Sequence, residues 1–422
     1  MPVIEINIGK CSQQVEIDAH NLLSVLMPNE VSVDRAGEEA IEEALDHPIG
    51  TEKLETIVQP GESIVIVTSD NTRPMPSSVV LPHVLARLQK AGVRDEDVTI
   101  VFALGAHRKQ TEEEKKYLVG TSIYERFRTV DSDPEDVIRM GMTRQGTPVD
   151  ITTIVARADR RICLGNIEYH YFAGYSGGAK AIMPGVSTRD AITFNHRLMV
   201  EEASHAGSSD DNPVRKDLEE ALHYCPVDFI LNVVLNEKKE IVYAVAGDVI
   251  KAHRKGAQFL DEFYLNKIEQ LADIVIVSQG GFPKDLNLYQ TQKALDNAQH
   301  AVRENGIIIL VGACNEGLGD NVFSQWMLAS PSPAAIIERL RKGFVLGGHK
   351  AAAIALILQK ADIYLVSEMS DALVDKMFMK PFSSVQEAYD SALKTLGDQS
   401  KVIVMPFGGS TLPKLTRGDE NE

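Results

Sequence analysis

Cysteine, tryptophan and positive charge are all in short supply in this chain. The four cysteines, Cys11, Cys163, Cys225 and Cys314, are too far apart for a CxxC metal site and too few for a disulfide scaffold, so they are expected to be buried small hydrophobes. Lys and Arg number 43 against 60 Asp and Glu, and no basic run offsets the net charge of −17 locally. Such a surface repels nucleic-acid phosphates and anionic lipid, so neither a nucleic acid nor a membrane is expected as a partner. An anionic substrate then needs its own local cations. No stretch reaches the roughly 18 unbroken apolar residues of a membrane helix. The opening Met1-Pro-Val-Ile-Glu-Ile-Asn-Ile alternates like a strand and lacks the basic start and apolar middle of a secretory signal, which makes the cytoplasm the expected compartment. Nucleotide signatures are missing too. No Gly-x-Gly-x-x-Gly follows a strand with an acidic residue about 20 positions on, which disfavours a nicotinamide dehydrogenase.

What is present is a regular alternation of apolar runs with helix-like segments. Val/Ile-rich runs recur at residues 63–69, 97–104, 161–165, 228–235, 273–278, 306–311, 362–366 and 401–405. Runs that are apolar throughout suit strands buried on both faces of a mainly parallel sheet covered by helices, so the class is α/β. A length of 422 residues exceeds what one core usually supports and implies two domains. The helix-like stretch Asn266 to Leu271 marks the expected boundary: 1–268 for an N-terminal α/β domain and 269–422 for a C-terminal one. The charged tail from Thr416 to Glu422 reads as disordered. Function is expected in the loops at the strand ends.

Four strand-end segments carry chemistry. Asp70-Asn-Thr-Arg73-Pro presents a carboxylate and a guanidinium in one turn; the guanidinium suits a substrate carboxylate, and the alternative is a turn that only holds itself together. Phe102-Ala-Leu-Gly-Ala-His107-Arg108 brings an imidazole to the sheet edge, as a ligand contact or as a surface loop residue. The densest segment runs from Gly165 to Gly185 and packs five glycines, several aromatics, His170 and Lys180 together. Its Ser176-Gly177-Gly178 backbone is a candidate phosphate cradle, although Ala181 after Lys180 rules out a Walker A loop. Lys180 is either a phosphate contact or a covalent attachment point made reactive by desolvation. His196 falls on a helix expected to begin near Ser187 or Thr188, as a structural residue or a ligand. In the second half Tyr289, Gln290 and Lys293 fall on nearby faces of a helix after Gly280-Gly-Phe-Pro, either as substrate contacts or as an ordinary amphipathic start.

Taken together, Asp70-Asn-Thr-Arg73-Pro, Ala103-Leu-Gly-Ala-His-Arg108, His170 through Lys180, Asn195-His196 and Tyr289-Gln290-x-x-Lys293 resemble the nickel-pincer lactate racemase family. The likeness covers about residues 10 to 410. It implies two α/β domains with the active site between them, and a nickel-pincer nucleotide, the nickel complex of pyridinium-3-thioamide-5-thiocarboxylic acid mononucleotide. By resemblance Lys180 carries this cofactor covalently, His196 ligates nickel, and separate cofactor-biosynthesis proteins make the group. The family also implies a Trp from the second domain against a small side chain; here Gly347-Gly-His349-Lys-Ala looks like that loop, with a His instead, and the single Trp326 lies elsewhere.

The chemistry agrees with a racemase or C2 epimerase acting on a small 2-hydroxy acid. Inverting a hydroxyl-bearing carbon whose C–H is not strongly acidic is easier by removing hydride than by removing a proton. Two imidazoles, His107 and His170, then serve as acid and base around a 2-oxo acid intermediate, since an imidazole titrates near about pH 6.5. Arg73 and Lys293 are expected to hold the carboxylate, with Tyr289 and Gln290 nearby and Asp70 orienting Arg73 or a histidine. The substrate is lactate or a larger, more polar acid such as malate or an aldonate. The competing expectation is a nucleotide- or phosphate-binding sensor without turnover, which keeps the Ser176 loop but needs no set of three histidines.

Overall fold

In the computed structural model, which describes residues 1–29, 31–236 and 238–416, the chain divides into two units. One is Val31–Asp261; the other joins Met1–Glu30 to Glu262–Glu422.

The first unit is built on a six-stranded sheet. In chain order its strands are Ile64–Ser69, Val98–Ala103, Arg128–Asp131, Arg160–Ile167, Phe229–Leu235 and Ile241–Gly247, the last antiparallel to its neighbour and the rest parallel. Across the sheet they stand in the order 6-5-4-1-2-3, so Ile64–Ser69 lies beside Arg160–Ile167. The chain builds outward in opposite directions from that pair. The crevice beyond the carboxyl ends of such a pair is where doubly wound sheets take their ligands. The first strand, Ile-Val-Ile-Val-Thr, is buried along its length; each of its Ile and Val side chains contributes roughly 1.5–3 kcal/mol of burial. Helix Ser77–Lys90 follows it and buries Val80, Leu81, Val84, Leu85 and Leu88 at helical spacing. A hydrogen bond of 2.7 Å between Thr68 Oγ1 and Ser77 Oγ pins that helix to the strand, which fixes the turn carrying Asp70 and Arg73.

The second unit also has a six-stranded sheet, wholly parallel: Lys380–Phe382, Ala361–Val366, Val302–Val311, Ala272–Ser278, Val402–Met405 and Leu22–Val25. All eight expected runs form strands in the two sheets. The architecture is therefore α/β with two mainly parallel sheets flanked by helices.

Four expectations need correction or limits. Leu22–Val25 pairs with Val402–Met405, so the first residues join the C-terminal unit and the division falls at 261/262, not at 268 alone. Within the stretch read as a helix, Leu265–Ile268 is a strand, because its backbone pairs with Leu412–Leu415. Cys11 is exposed on a hairpin strand, whereas Cys163, Cys225 and Cys314 are buried as expected. Of the charged tail, Thr416 donates to the Ile268 carbonyl at 2.9 Å, and residues 417–422 lie outside the described residues.

Candidate active site

Four loops of the first unit supply the chemistry. Beyond strand Ile64–Ser69, Asp70 is 2% exposed, and its Oδ2 accepts from His107 Nδ1 at 2.6 Å. Its Oδ1 accepts from the Thr72 hydroxyl at 2.7 Å and the Thr72 N–H at 3.2 Å. Burial pushes the Asp70 carboxyl up, but the hydrogen bonds from His107 and Thr72 and the nearby positive charges outweigh it, so the net shift is downward and the group is a carboxylate. Asp70 thus orients His107 rather than Arg73. With its proton held on Nδ1, the His107 ring carries its lone pair on Nε2. Arg73, on the exposed part of the same turn, reaches only Thr72 and makes no ion pair among the described residues. The Gly105 N–H donates to the Gly185 carbonyl at 2.9 Å and ties the His107 loop to the far end of the Lys180 loop.

After strand Arg160–Ile167 the chain turns back in a two-residue ladder, Tyr169–His170 against Gly174–Tyr175. His170 Nδ1 accepts the Ala173 N–H at 3.2 Å, so this ring keeps its proton on Nε2, the opposite tautomer to His107. Desolvation holds the imidazole well below its ordinary value, and the charges of Lys180, His196, Arg73 and Arg215 act in the same direction. Lys180 follows on the short turn Gly178–Ala181. Desolvation lowers its ammonium well below the usual range, Arg215 and Arg73 add to this, and Glu168 opposes it. Among the described residues its Nζ makes no hydrogen bond or ion pair. A desolvated amine with nothing bonded to it is a nucleophile in waiting.

Two of the three N–H groups of the Ser176–Gly178 loop are engaged within the fold. The Ser176 N–H already donates to the Glu168 carbonyl at 2.8 Å, and the Gly178 N–H to Asn232 Oδ1 at 2.8 Å. Its glycines also answer to close packing. At φ values of 74° and 58°, a Cβ on Gly177 would lie 2.7 Å from Asn232 Oδ1 and one on Gly178 would lie 2.8 Å from the His253 ring. Arg215, fully buried, completes the scaffold by donating to the carbonyls of Ala173, Tyr175 and Gly177, while His253 Nε2 donates to the Ser176 carbonyl at 2.7 Å. Desolvation lowers the Arg215 guanidinium to about 10, and it remains a cation next to the Lys180 loop. Arg215, Asn232 and His253 carry no motif of their own and were missed by reading the sequence.

Helix Arg189–His196 begins as expected, with Thr188 Oγ1 accepting the Ala191 N–H at 3.2 Å. His196 closes it. Its Nδ1 meets Asn195 Oδ1 at 2.9 Å, which leaves the lone pair on Nε2, the arrangement a metal ligand requires. Asn195 is itself fixed, donating to Asp217 Oδ2 at 2.9 Å and to the Val214 carbonyl at 3.2 Å. Phe172 sits edge-on to both His170, at 4.5 Å, and His196, at 4.8 Å, and so spaces the two imidazoles. Among the described residues no three His, Cys, Asp or Glu side chains gather as a metal site.

In the second unit Tyr289, Gln290 and Lys293 lie on helix Leu288–Ala298, whose Asn287 cap accepts the Gln290 N–H at 3.0 Å. Gln290 and Lys293 are exposed, and Lys293 makes no ion pair among the described residues. The Tyr289 phenol is pushed up by burial and by Asp320, so it stays protonated. His349 lies in the first turn of helix Gly348–Leu358, 7% exposed, with Nδ1 accepting the Gly347 N–H at 3.0 Å. Trp326 is 1% exposed and packs under Gly348, where a Cβ would lie 2.5 Å from the indole.

The lactate racemase N-terminal domain model matches residues 8–207, and the lactate racemase C-terminal domain model matches residues 267–412. The chain is 32% identical over 98% of its length to a lactate racemase of Thermoanaerobacterium thermosaccharolyticum, covering 99% of it. Identity is 31% to a lactate racemase of Lactiplantibacillus plantarum, over 98% of this chain and all of that one. The solved lactate racemase apoprotein of T. thermosaccharolyticum superposes with a TM-score of 0.88, covering 98% of this chain and 100% of that chain. A Thermotoga maritima protein of 17% identity shares the fold, with a TM-score of 0.63 over 92% of this chain and 100% of that one. The chain belongs to the lactate racemase family and is an isomerase of the racemase class.

Proposed function

We propose that the protein inverts C2 of a small 2-hydroxy acid by reversible hydride removal, using a nickel-pincer nucleotide joined covalently to Lys180 and ligated through nickel by His196. The observation that carries this reading is the pair of imidazoles in opposite tautomers, His107 with its lone pair on Nε2 and His170 with its proton there. The group fits the residues present: Lys180 offers a desolvated amine, and His196 offers an imidazole nitrogen whose ring is held by Asn195. When bound, the pyridinium pincer supplies the electrophilic site that accepts hydride and returns it.

The chain's own groups do the rest. His107 takes the hydroxyl proton through Nε2, and the Asp70 carboxylate 2.6 Å from Nδ1 stabilises the imidazolium that results. Arg73 holds the carboxylate of the 2-oxo acid while its other end turns. When hydride returns on the opposite face the oxygen meets the Nε2–H of neutral His170; the proton it receives there is replaced through water by the one His107 took up, so both rings end neutral. Lys293 is a second cation for the carboxylate, with Gln290 and Tyr289 beside it on the same helix.

The sole Trp326 is buried, so it offers no indole to a lactate methyl; this supports malate or an aldonate beside lactate as the substrate, with C2 epimerisation in the latter case. Separate cofactor-biosynthesis proteins are the implied partners. The racemase reading is favoured over a sensor by family membership and by the Asp70–His107 pair, which a sensor does not need.

His107→Ala and His170→Ala, each loaded with cofactor, test the assignment in a chiral assay. Each is expected to lose on the order of 10²–10⁴-fold in racemisation while keeping the adduct mass. Full activity in either variant would remove the two-imidazole mechanism.

A further inference from the structure

Helix Gly348–Leu358 carries a cation for which the reaction derived above has no task. Lys350 Nζ donates to the Tyr289 carbonyl at 2.6 Å, and the same ammonium lies 4.1 Å from the centroid of the Tyr289 ring. One charge thus grips both the backbone and the ring of a single residue, and an ammonium over a phenol face is attracted to its π-electrons. Phe323 meets the same ring edge-on, with centroids 5.6 Å apart and planes at 78°. The ring plane is thereby fixed, yet its hydroxyl makes no hydrogen bond among the described residues. A phenol this firmly held, with its O–H unspent, is arranged to donate to something that arrives later.

Lys350 is an expensive choice for a purely structural tie. Burial works against its charge, as it works against the ionised form of Asp296, its nearest opposite charge on helix Leu288–Ala298, and the neighbouring Lys293 adds repulsion. An apolar side chain would fill the space without that cost. What the ammonium adds is direction: it sets the helix that presents Tyr289 against the helix that begins at Gly348.

We infer that Lys350 is a positioning residue that aims the Tyr289 hydroxyl at the bound 2-hydroxy acid; the inference rests on the assignment of Tyr289 to substrate binding. The test is a double-mutant cycle in the cofactor-loaded enzyme, using Lys350→Met and Tyr289→Phe with whichever of lactate, malate and gluconate the wild type converts fastest. Lys350→Met is expected to lower kcat/KM about tenfold, Lys350→Arg to recover most of the loss, and the double variant to be no worse than Tyr289→Phe alone. Adduct mass at Lys180 and the thermal midpoint accompany each assay. Losses that multiply, or a Lys350→Met enzyme equal to wild type, would overturn the clamp while leaving Tyr289 as a substrate contact. An unaltered Tyr289→Phe enzyme would instead sink the substrate assignment itself, and the clamp with it. Should Lys350→Met fail to fold, Lys350→Gln keeps a donor for the carbonyl without charge over the ring and carries the same cycle.

Discussion

Asn195 decides which nitrogen of His196 faces outward. Its amide oxygen takes the Nδ1 proton at 2.9 Å, and its own NH₂ is held by Asp217, itself a buried acceptor for the Thr143 and Thr147 hydroxyls. Outer partners of this kind set both tautomer and ring orientation. Asn195→Ala is therefore expected to weaken nickel retention about 10–100-fold with the cofactor adduct still present, read as metal content of the loaded protein after dialysis against a chelator. Retention equal to wild type would argue that His196 is not the ligand. The motif Asn195-His196 was legible in the sequence because the two residues are adjacent. Asp217 was not, since its connection to them exists only once helix Pro213–Glu220 packs against helix Arg189–His196. The same holds for Asp70 and His107: each could be seen at a strand end, but their 2.6 Å contact depends on two neighbouring strands ending side by side.

At the scale of elements, runs apolar on both faces could be read directly, and all eight formed. The strand Ile241–Gly247 escaped although it is apolar, and so did strands whose sequence is half polar. Arg128-Thr-Val-Asp131 is an edge strand with one exposed position, and Leu265-Asn-Lys-Ile268 takes its strand form from pairing with Leu412–Leu415 near the other end of the unit. The Gly177-Gly178 pair was visible as a special turn, but one reason for its glycines was not: a Cβ at either position would meet Asn232 or His253. Gly178→Ala puts a Cβ 2.8 Å from the His253 ring at a φ of 58°, so the turn bearing Lys180 must shift. The expected result is a loss of about 1–3 kcal/mol in stability and a reduced fraction of cofactor adduct by intact mass. A variant as stable and as fully loaded as wild type would show that the loop tolerates displacement and does not position Lys180.

The whole molecule stores several imidazoles in their neutral form. Desolvation holds His170 and His253 well below their ordinary values and brings His349 to about 3. In the unfolded chain these groups take up protons near about pH 6.5, while in the folded protein they resist. Between those limits the unfolded state binds more protons, so stability falls as pH drops below about 6.5. Carboxylates held low, such as Asp70, add a loss of the same sign only below about pH 4, which leaves pH 7 to 5 to the imidazoles. His253→Gln keeps a donor for the Ser176 carbonyl but cannot titrate. Its Tm is expected to fall less between pH 7 and pH 5 than that of the wild type; equal slopes would mean that His253 is charged in the folded state. The division of the chain into units was legible only in part. The second half announced its own strands, but nothing in Leu22-Leu-Ser-Val25 says that it joins residues 402–405 across almost the whole sequence.

The most direct test of the central claim is intact-protein mass with nickel content for the wild type and Lys180→Ala, each co-expressed with pincer-cofactor biosynthesis proteins, followed by a chiral assay on a panel of 2-hydroxy acids. The wild type is expected to carry one covalent adduct and about one nickel per chain and to interconvert the enantiomers or C2 epimers of at least one acid, while Lys180→Ala carries no adduct and is inactive. An unmodified wild type that nonetheless racemises an acid, or an adduct that persists in Lys180→Ala, would contradict it.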